Sequence, residues 1–378
     1  MDKDIEQLLE WSTSIGIELN GIQPKALHGR GIGIVATRHL EADQVILKVP
    51  ISALRTLSNT PKDITKKLSG ATVHSILAVS LCLSDGTGID KWTPVFPSRR
   101  DIASSLPICW PAKLRSLLPP GAKALLTAQQ DKFNKDWALV TAAYPKLNKD
   151  DYLYSWLLIN TRTFYHTDRS TEKLPRDDRM ALQPVADLFN HTPEGYCVAA
   201  FDDKFFTFTT TRTHQPGEEV FIRYGPHAND KLLVEYGFTL PSSVNPWDET
   251  CLDSYICPSL SSDQRHRLEA VGFWGKYMLD AQTACYRTYV ALRMLCLPLN
   301  RWQDILDGTR DEDEDSLIID AALLKVLTKY DADVTSALEQ LEQLQASSVG
   351  DEEMRGILTD RWLQIKHLVT AGISRIES

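Results

Sequence analysis

Apolar residues recur at helical spacing at the start of the chain, where Ile5, Leu8 and Leu9 share one face, and this predicts a short amphipathic helix over residues 1 to about 20. The pattern then changes. Gly31-Ile32-Gly33-Ile34-Val35-Ala36 and Val45-Ile46-Leu47-Lys48-Val49 are rich in β-branched residues and read as strands within Gly29–Pro50, joined by the polar Arg38 to Gln44. From Pro61 to Thr161 the spacing becomes largely helical, broken at Pro94, Pro97, Pro107, Pro111 and the Pro119-Pro120-Gly121 turn. Strand character returns between Val198 and Arg223. There Phe206 and Phe208 alternate with Thr207 and Thr209 after a turn at Asp202-Asp203, and Pro216-Gly217 turns into Val220-Phe221-Ile222.

Beyond Pro246 the chain reads as all-helical. Ile319, Leu323, Val326 and Tyr330 share one helical face, as do Val334, Leu338 and Leu341, and then Leu358, Trp362, Ile365 and Val369. The acidic run from Asp311 to Asp315 is expected to be a solvated loop between helices. No solenoid period is present, so a helical bundle is expected there. The chain thus divides into 1–60 (helix and first strands), 61–180 (a helical insertion), 181–241 (second strands) and 246–378 (a helical unit), an α+β arrangement.

Composition changes this picture little. At 378 residues, 43% hydrophobic and 24% charged, the chain is an ordinary globular protein of two to three domains. Its net charge of −9 argues against nucleic acid or an anionic membrane as a partner. The opening Met1-Asp2-Lys3-Asp4 has no apolar stretch after it, so no secretory leader is expected. No run approaches the roughly 20 apolar residues of a membrane span. The seven cysteines form no C-x-x-C pair and no cluster at zinc spacing, which points to free thiols in the cytoplasm or nucleus and to no metal.

Four short segments carry candidate chemistry. Gly29-Arg30-Gly31-Ile32-Gly33 precedes a strand rather than a helix and its sixth position is Ile34, so a dinucleotide fingerprint is excluded. A turn that lets a cofactor approach the backbone and a plain glycine-rich turn both remain open. In Pro184-Val185-Ala186-Asp187-Leu188-Phe189-Asn190-His191 an apolar lead-in ends in two polar side chains, whose partners are either a ligand or turn carbonyls. Ile222-Arg223-Tyr224-Gly225 places a tyrosine where a strand ends. Asn229, Leu232 and Leu233 lead to the aromatic turn Tyr236-Gly237-Phe238. Each of these, taken alone, is also explained by packing.

In this order, however, Gly-x-Gly before a strand, Thr-Arg-x-Phe (161–164), Asp-Leu-x-Asn-His (187–191), Gly-Glu-Glu-x-x-x-x-Tyr-Gly (217–225) and Tyr-Gly-Phe (236–238) resemble the SET domains of the RuBisCO large-subunit methyltransferase type. The sharp motifs lie in Pro184–Pro241, and the resemblance in layout covers nearly the whole chain. It implies a SET-domain β-fold split by a helical insertion and followed by an all-helical substrate-binding domain. It implies S-adenosylmethionine (SAM) as cofactor and protein-lysine N-methyl transfer as the activity. The acceptor it implies is a non-histone protein presenting a lysine, such as a ribosomal protein or elongation factor, and the enzyme is expected to be a monomer.

By the same resemblance Arg30, Ile32 and Gly33 meet the cofactor through the backbone, while Arg162, Asn190, His191 and Phe238 contact it. Tyr224 is the catalytic tyrosine at the methyl-transfer site, and Tyr236 and Phe164 line the lysine channel. Asp187 is structural. Lysine-directed relatives carry an aromatic at the Phe164 place, where the relative that methylates a histidine in actin carries asparagine, so Phe164 favours lysine. Cys251 and Cys257 lack the tighter cysteine triad of the zinc segment found after some histone-directed SET domains. The charged loop His166 to Arg179 is expected near the substrate entrance. Protein-histidine methylation and a catalytically inactive binding module are the alternatives; the joint presence of Arg162, Asn190, His191 and Tyr224 speaks against the second.

Overall fold

The computed structural model describes residues 2–84, 89–345 and 347–377. The chain divides into two compact units, one of residues 1–102 and 129–226, the other of 103–128 and 227–378.

The first unit opens with helix α1 (Asp2–Ser14). It is shorter than the sequence pattern predicts. Thr13 and Ser14 turn their hydroxyls back onto the carbonyls of Leu9 and Trp11, and Gly16 takes φ +85°, so the helix unwinds there. The strands β1 (Glu18–Leu19), β2 (Ile22–Leu27), β3 (Gly31–Ala36) and β4 (Val45–Pro50) follow. Later come β5 (Phe164–Tyr165), β6 (Met180–Ala181), β7 (Asn190–His191), β8 (Val198–Phe201), β9 (Phe205–Thr209) and β10 (Glu219–Ile222).

They form an antiparallel sheet in the order β1-β4-β9-β8, a second sheet β2-β3-β10-β7, and the pair β5-β6. Alternation sets the first sheet's buried face: Leu47 and Val49 lie opposite Phe208 and Phe206, and all four are buried. In the second sheet β10 runs antiparallel to β3 and parallel to β7, so it stands between them. Strand β2 is not legible as a strand, because Pro24 and Lys25 interrupt any apolar run. Pro24 is tolerated because β2 lies at the sheet's edge.

Between the two groups of strands come helices α2 (Val73–Cys82) and α3 (Lys149–Arg162), which pack on each other. Asn148 caps α3 by accepting from the N–H groups of Asp150 and Asp151.

The second unit is helical, as expected, with α4 (Asn229–Tyr236), α5 (Tyr286–Cys296), α6 (Ser316–Leu344) and α7 (Glu352–Glu377). Its core holds Ile319, Leu323, Tyr330 and Val334 of α6 against Leu358, Trp362, Ile365 and Val369 of α7. Two findings depart from the sequence pattern. Strands β11 (Glu249–Cys251) and β12 (Met278–Asp280) pair within this unit; three residues each leave no readable period. The acidic run lies between helices and is exposed at Asp311, Asp313 and Glu314, but it is not simply a solvated loop. Residues Glu312–Asp315 form a 3-10 turn in which the buried Asp315 accepts from Arg310 Nε at 3.0 Å, while Glu312 pairs with Arg293 at 2.6 Å. Among the described residues no helix is long and apolar enough to cross a membrane.

Candidate active site

The glycine-rich segment forms the turn between β2 and β3. Gly29 and Gly31 hold φ of +72° and +70°, the left-handed region that a side chain disfavours. Gly33 is glycine for another reason. A Cβ there would lie 2.8 Å from both Asn190 Nδ2 and Glu219 Oε1 and 2.5 Å from Leu27 Cδ1, so the space of its missing side chain is already taken. Ile32 is buried, and Arg30 is largely exposed with its guanidinium on Glu219 Oε2 at 2.8 Å.

The Pro184–His191 segment enters the site under strain. Val185, a β-branched residue, takes φ +68°, a conformation costing about 1–3 kcal/mol. A 3-10 turn over Ala186–Leu188 follows, and it buries Asp187. The Asp187 carboxylate accepts from Trp92 Nε1 at 3.2 and 3.3 Å and from Arg162 Nη1 at 3.3 Å. Arg162 Nη1 also donates to the Asp187 carbonyl at 2.6 Å. Burial pushes the Asp187 carboxyl up to about 6, although Arg162 and Trp92 pull it the other way. Arg162 stands at the end of α3, and its Nε is buried with no hydrogen-bond partner among the described residues.

After the turn the chain joins the second sheet. Asn190 and His191 of β7 lie beside Phe221 and Ile222 of β10. The Asn190 amide donates to Glu219 Oε1 at 2.8 Å. His191 accepts the Tyr224 N–H on Nδ1 at 3.1 Å, which places the proton of the neutral ring on Nε2. The His191 and Tyr224 rings stack at 5.1 Å with 26° between planes. The Tyr224 hydroxyl donates to the Phe189 carbonyl at 2.7 Å. Phe164, on β5, stands edge-on to Phe206 at 5.9 Å and Phe208 at 5.6 Å, and Phe208 stacks on Phe189 at 5.2 Å.

The structure therefore gathers Arg30, Gly33 and Asn190 around Glu219, seats Arg162 on Asp187, and links Phe164 through Phe208 and Phe189 to Tyr224 and His191. Tyr236 and Phe238 belong to the second unit. There α4 ends at Gly237, whose φ of +83° and close approach to Ser105 both require glycine. The Tyr236 ring stacks with His227 at 6.0 Å and lies 6.5 Å from Phe238, and burial pushes its hydroxyl up to about 12.

Sequence reasoning passes over Glu219, Trp92 and Val185. Glu219 lies within the Gly-Glu-Glu motif (217–225), but that motif gives it no role of its own, and a pair of acids after a turn reads equally well as surface charge. Nothing in sequence marks Trp92 as a partner of a residue 95 positions away.

Two family profiles match the chain: one described as SET domain over residues 31–225, and one described as Ribosomal lysine N-methyltransferase 2 C-terminal domain over residues 249–371. Ribosomal lysine N-methyltransferase set11 of Schizosaccharomyces pombe is 26% identical over 373 residues, covering 92% of each chain. SET domain-containing protein 4 of Mus musculus is 27% identical over 355 residues, 80% of this chain and 75% of that one. Ribosomal lysine N-methyltransferase 2 of Saccharomyces cerevisiae is 23% identical over 303 residues, 67% of this chain and 62% of that one. Among solved structures, the SET domain of LSMT bound to lysine and AdoHcy matches with a TM-score of 0.72 at 14% identity, over 100% of this chain and 91% of that one. Rubisco LSMT bound to AdoMet matches at 0.69 and 17% identity, over 99% and 91%. At these identities the likeness speaks to the fold, which is the α+β arrangement described above.

Proposed function

The chain belongs to the SET-domain family, whose profile spans more than half of it, and from that membership we propose a full assignment: a SAM-dependent protein-lysine N-methyltransferase whose acceptor is a lysine of a ribosomal protein. The names of its relatives support the activity and the substrate class, and the C-terminal profile supports a ribosomal acceptor in particular. Such an acceptor favours the cytoplasm as the compartment. The observation that carries the assignment is the joined arrangement of His191, Tyr224 and Phe189. A tyrosine hydroxyl is held on a main-chain carbonyl while its ring is clamped by a histidine.

The residues present fit the cofactor. Arg162 offers a buried guanidinium N–H with no hydrogen-bond partner among the described residues, suited to a carboxylate such as SAM carries. At Gly31 the space that a side chain would fill is open, which leaves the main chain there accessible. In this reading Arg30, Ile32 and Gly33 meet the cofactor through the backbone, and Arg162, Asn190 and His191 bind it. When bound, SAM supplies a methyl group already activated on a sulfonium. What remains for the protein is alignment of an uncharged amine with that methyl.

Tyr224 serves this alignment. Its single hydrogen is given to Phe189, so toward a methyl group the oxygen can act only as an acceptor of weak C–H···O contacts. Phe164 is a wall of the acceptor channel. A lysine ammonium with a pKa near ~10.4 must lose a proton before attack, and aromatic walls that hydrate it poorly favour the neutral form. No step asks a protein side chain for covalent chemistry.

The test is transfer of labelled methyl from SAM into an extract of cells lacking the protein, with wild type and Tyr224→Phe side by side. The expected result is a discrete labelled ribosomal protein, with the label on lysine and lost in the variant. An extract that takes up no label, together with no SAM binding by calorimetry, removes the enzyme reading and leaves a binding module.

A further inference from the structure

Glu219 is the first residue of β10, the strand between β3 and β7. That position puts it beside two segments far apart in sequence. Its Oε1 accepts from Asn190 Nδ2 at 2.8 Å, its Oε2 lies 2.8 Å from Arg30 Nη2, and Gly33 has no side chain where Oε1 and the Asn190 amide sit. We propose that Glu219 is a positioning residue for the cofactor, locking the Asn190 amide and the Arg30–Gly33 turn into one cradle. The inference rests on the methyltransferase reading above.

The chemistry of the amide gives the lock its direction. An asparagine side chain can present either its N–H2 or its carbonyl to a ligand, and only the bonding network decides which. A carboxylate accepts and never donates. Glu219 therefore fixes the N–H2 of Asn190 on itself and leaves the Asn190 carbonyl oxygen turned away as an acceptor for a donor on the cofactor.

A surface ion pair with Arg30 would not do this. The Glu219 side chain is only 8% exposed while that of Arg30 is 57% exposed, so the carboxylate is held from the inside by Asn190. An acid at this depth, with one oxygen on an amide and the other on a guanidinium, is not placed to take a proton from a substrate. Its role is to hold geometry.

The experiment is SAM binding by calorimetry, with steady-state kinetics, on Glu219→Ala, Glu219→Met and Glu219→Gln. Loss of a hydrogen bond to a charged group corresponds to roughly a 10- to 100-fold change in affinity. Glu219→Ala is expected to raise the SAM Kd by at least about 10-fold. At saturating SAM its kcat should stay within about 3-fold of wild type, because the transfer geometry at Tyr224 is untouched. Glu219→Gln presents its own carbonyl to Asn190 and is expected to recover most of the affinity. Should the alanine variant melt too low to assay, Glu219→Met fills the same volume without an acceptor and carries the test. Alanine and methionine variants that bind SAM within twofold of a binding-competent wild type would overturn the inference alone. A wild type that binds no SAM at all would overturn the methyltransferase reading instead.

Discussion

The Tyr224 hydroxyl reaches the main-chain carbonyl of Phe189 across 2.7 Å, joining the end of β10 to the residue just before Asn190. This bond fixes where the oxygen stands, and the His191 ring stacked on Tyr224 fixes the plane of the phenol. Tyr224→Phe keeps the stack and removes only the oxygen. The expected outcome is a fall in kcat of about 100-fold or more, as for loss of a preorganised polar group at a reacting centre. The SAM Kd should stay within about 3-fold, because the only cofactor contact removed is a weak C–H···O one. Single-turnover transfer and calorimetry on one preparation check this; an unchanged kcat would remove Tyr224 from the chemistry.

Phe164 tests the choice of acceptor. Its ring meets Phe206 and Phe208 edge-on, contacts worth about 0.5–1.5 kcal/mol each beyond their buried area. Phe164→Asn replaces this wall with an amide that can hydrogen-bond an imidazole. Transfer to lysine is expected to fall by about 10-fold or more, with measurable transfer to a histidine-containing peptide appearing where wild type gives none. A wild type that methylates histidine as well as lysine would contradict the lysine reading.

How far these relationships were legible beforehand depended on their range along the chain. Strands β3, β4, β9 and β10 showed through their own residues, since Phe206 and Phe208 alternate with threonine and Ile34 and Val35 sit in a β-branched run. The long helices showed for the same reason. Strand β2 did not, because its pairing with β3, and not its composition, makes it a strand. The motif order picked out Asn190, His191 and Tyr224, and the register of β7 on β10 is what brings them together. Glu219 with Asn190 and Arg30 was not legible at all. Those contacts join residues 29 and 189 positions apart through a third strand, and no local period encodes them. The ion pairs of Glu312 and Asp315 were hidden for a related reason, as their partners Arg293 and Arg310 count only once the chain is folded.

Asp187 predicts a pH dependence with a definite sign. Burial raises its carboxyl from 3.8 to about 6 in the folded protein. Between those values the folded state holds a proton that the unfolded state releases, so this group's contribution falls as pH rises. That contribution is fully present below about 4 and lost once pH passes about 6. Asp187→Asn cannot titrate and still accepts from Trp92. The stability of wild type relative to Asp187→Asn is therefore expected to decline from pH 5 to pH 7.5, measured by urea unfolding with near-ultraviolet tryptophan signals. A difference that is flat or rises over that range would show the carboxylate is held ionised by Arg162.

Arg361 is the reverse case, a buried cation that two acids depend on. It is fully buried on α7, with Nε on Asp230 at 2.7 Å, Nη1 on Asp248 at 2.9 and 3.0 Å, and Nη2 on the Glu249 carbonyl at 2.9 Å. Burial raises the Asp230 carboxyl above its ordinary range even with this guanidinium beside it. Arg361→Met would leave both carboxyls in a low-dielectric core without their partner. The expected cost is about 3–5 kcal/mol, the penalty for stranding one side of a buried ion pair. That penalty belongs to the stranded acids and not to the lost attraction. Arg361→Met combined with Asp230→Asn and Asp248→Asn should therefore recover much of the loss, since no unpaired charge remains. Chemical denaturation of wild type, single and triple variants separates the two causes. If the triple variant is no more stable than the single one, the geometry that Arg361 imposes on β11 and α4, and not charge compensation, is what stabilises this unit.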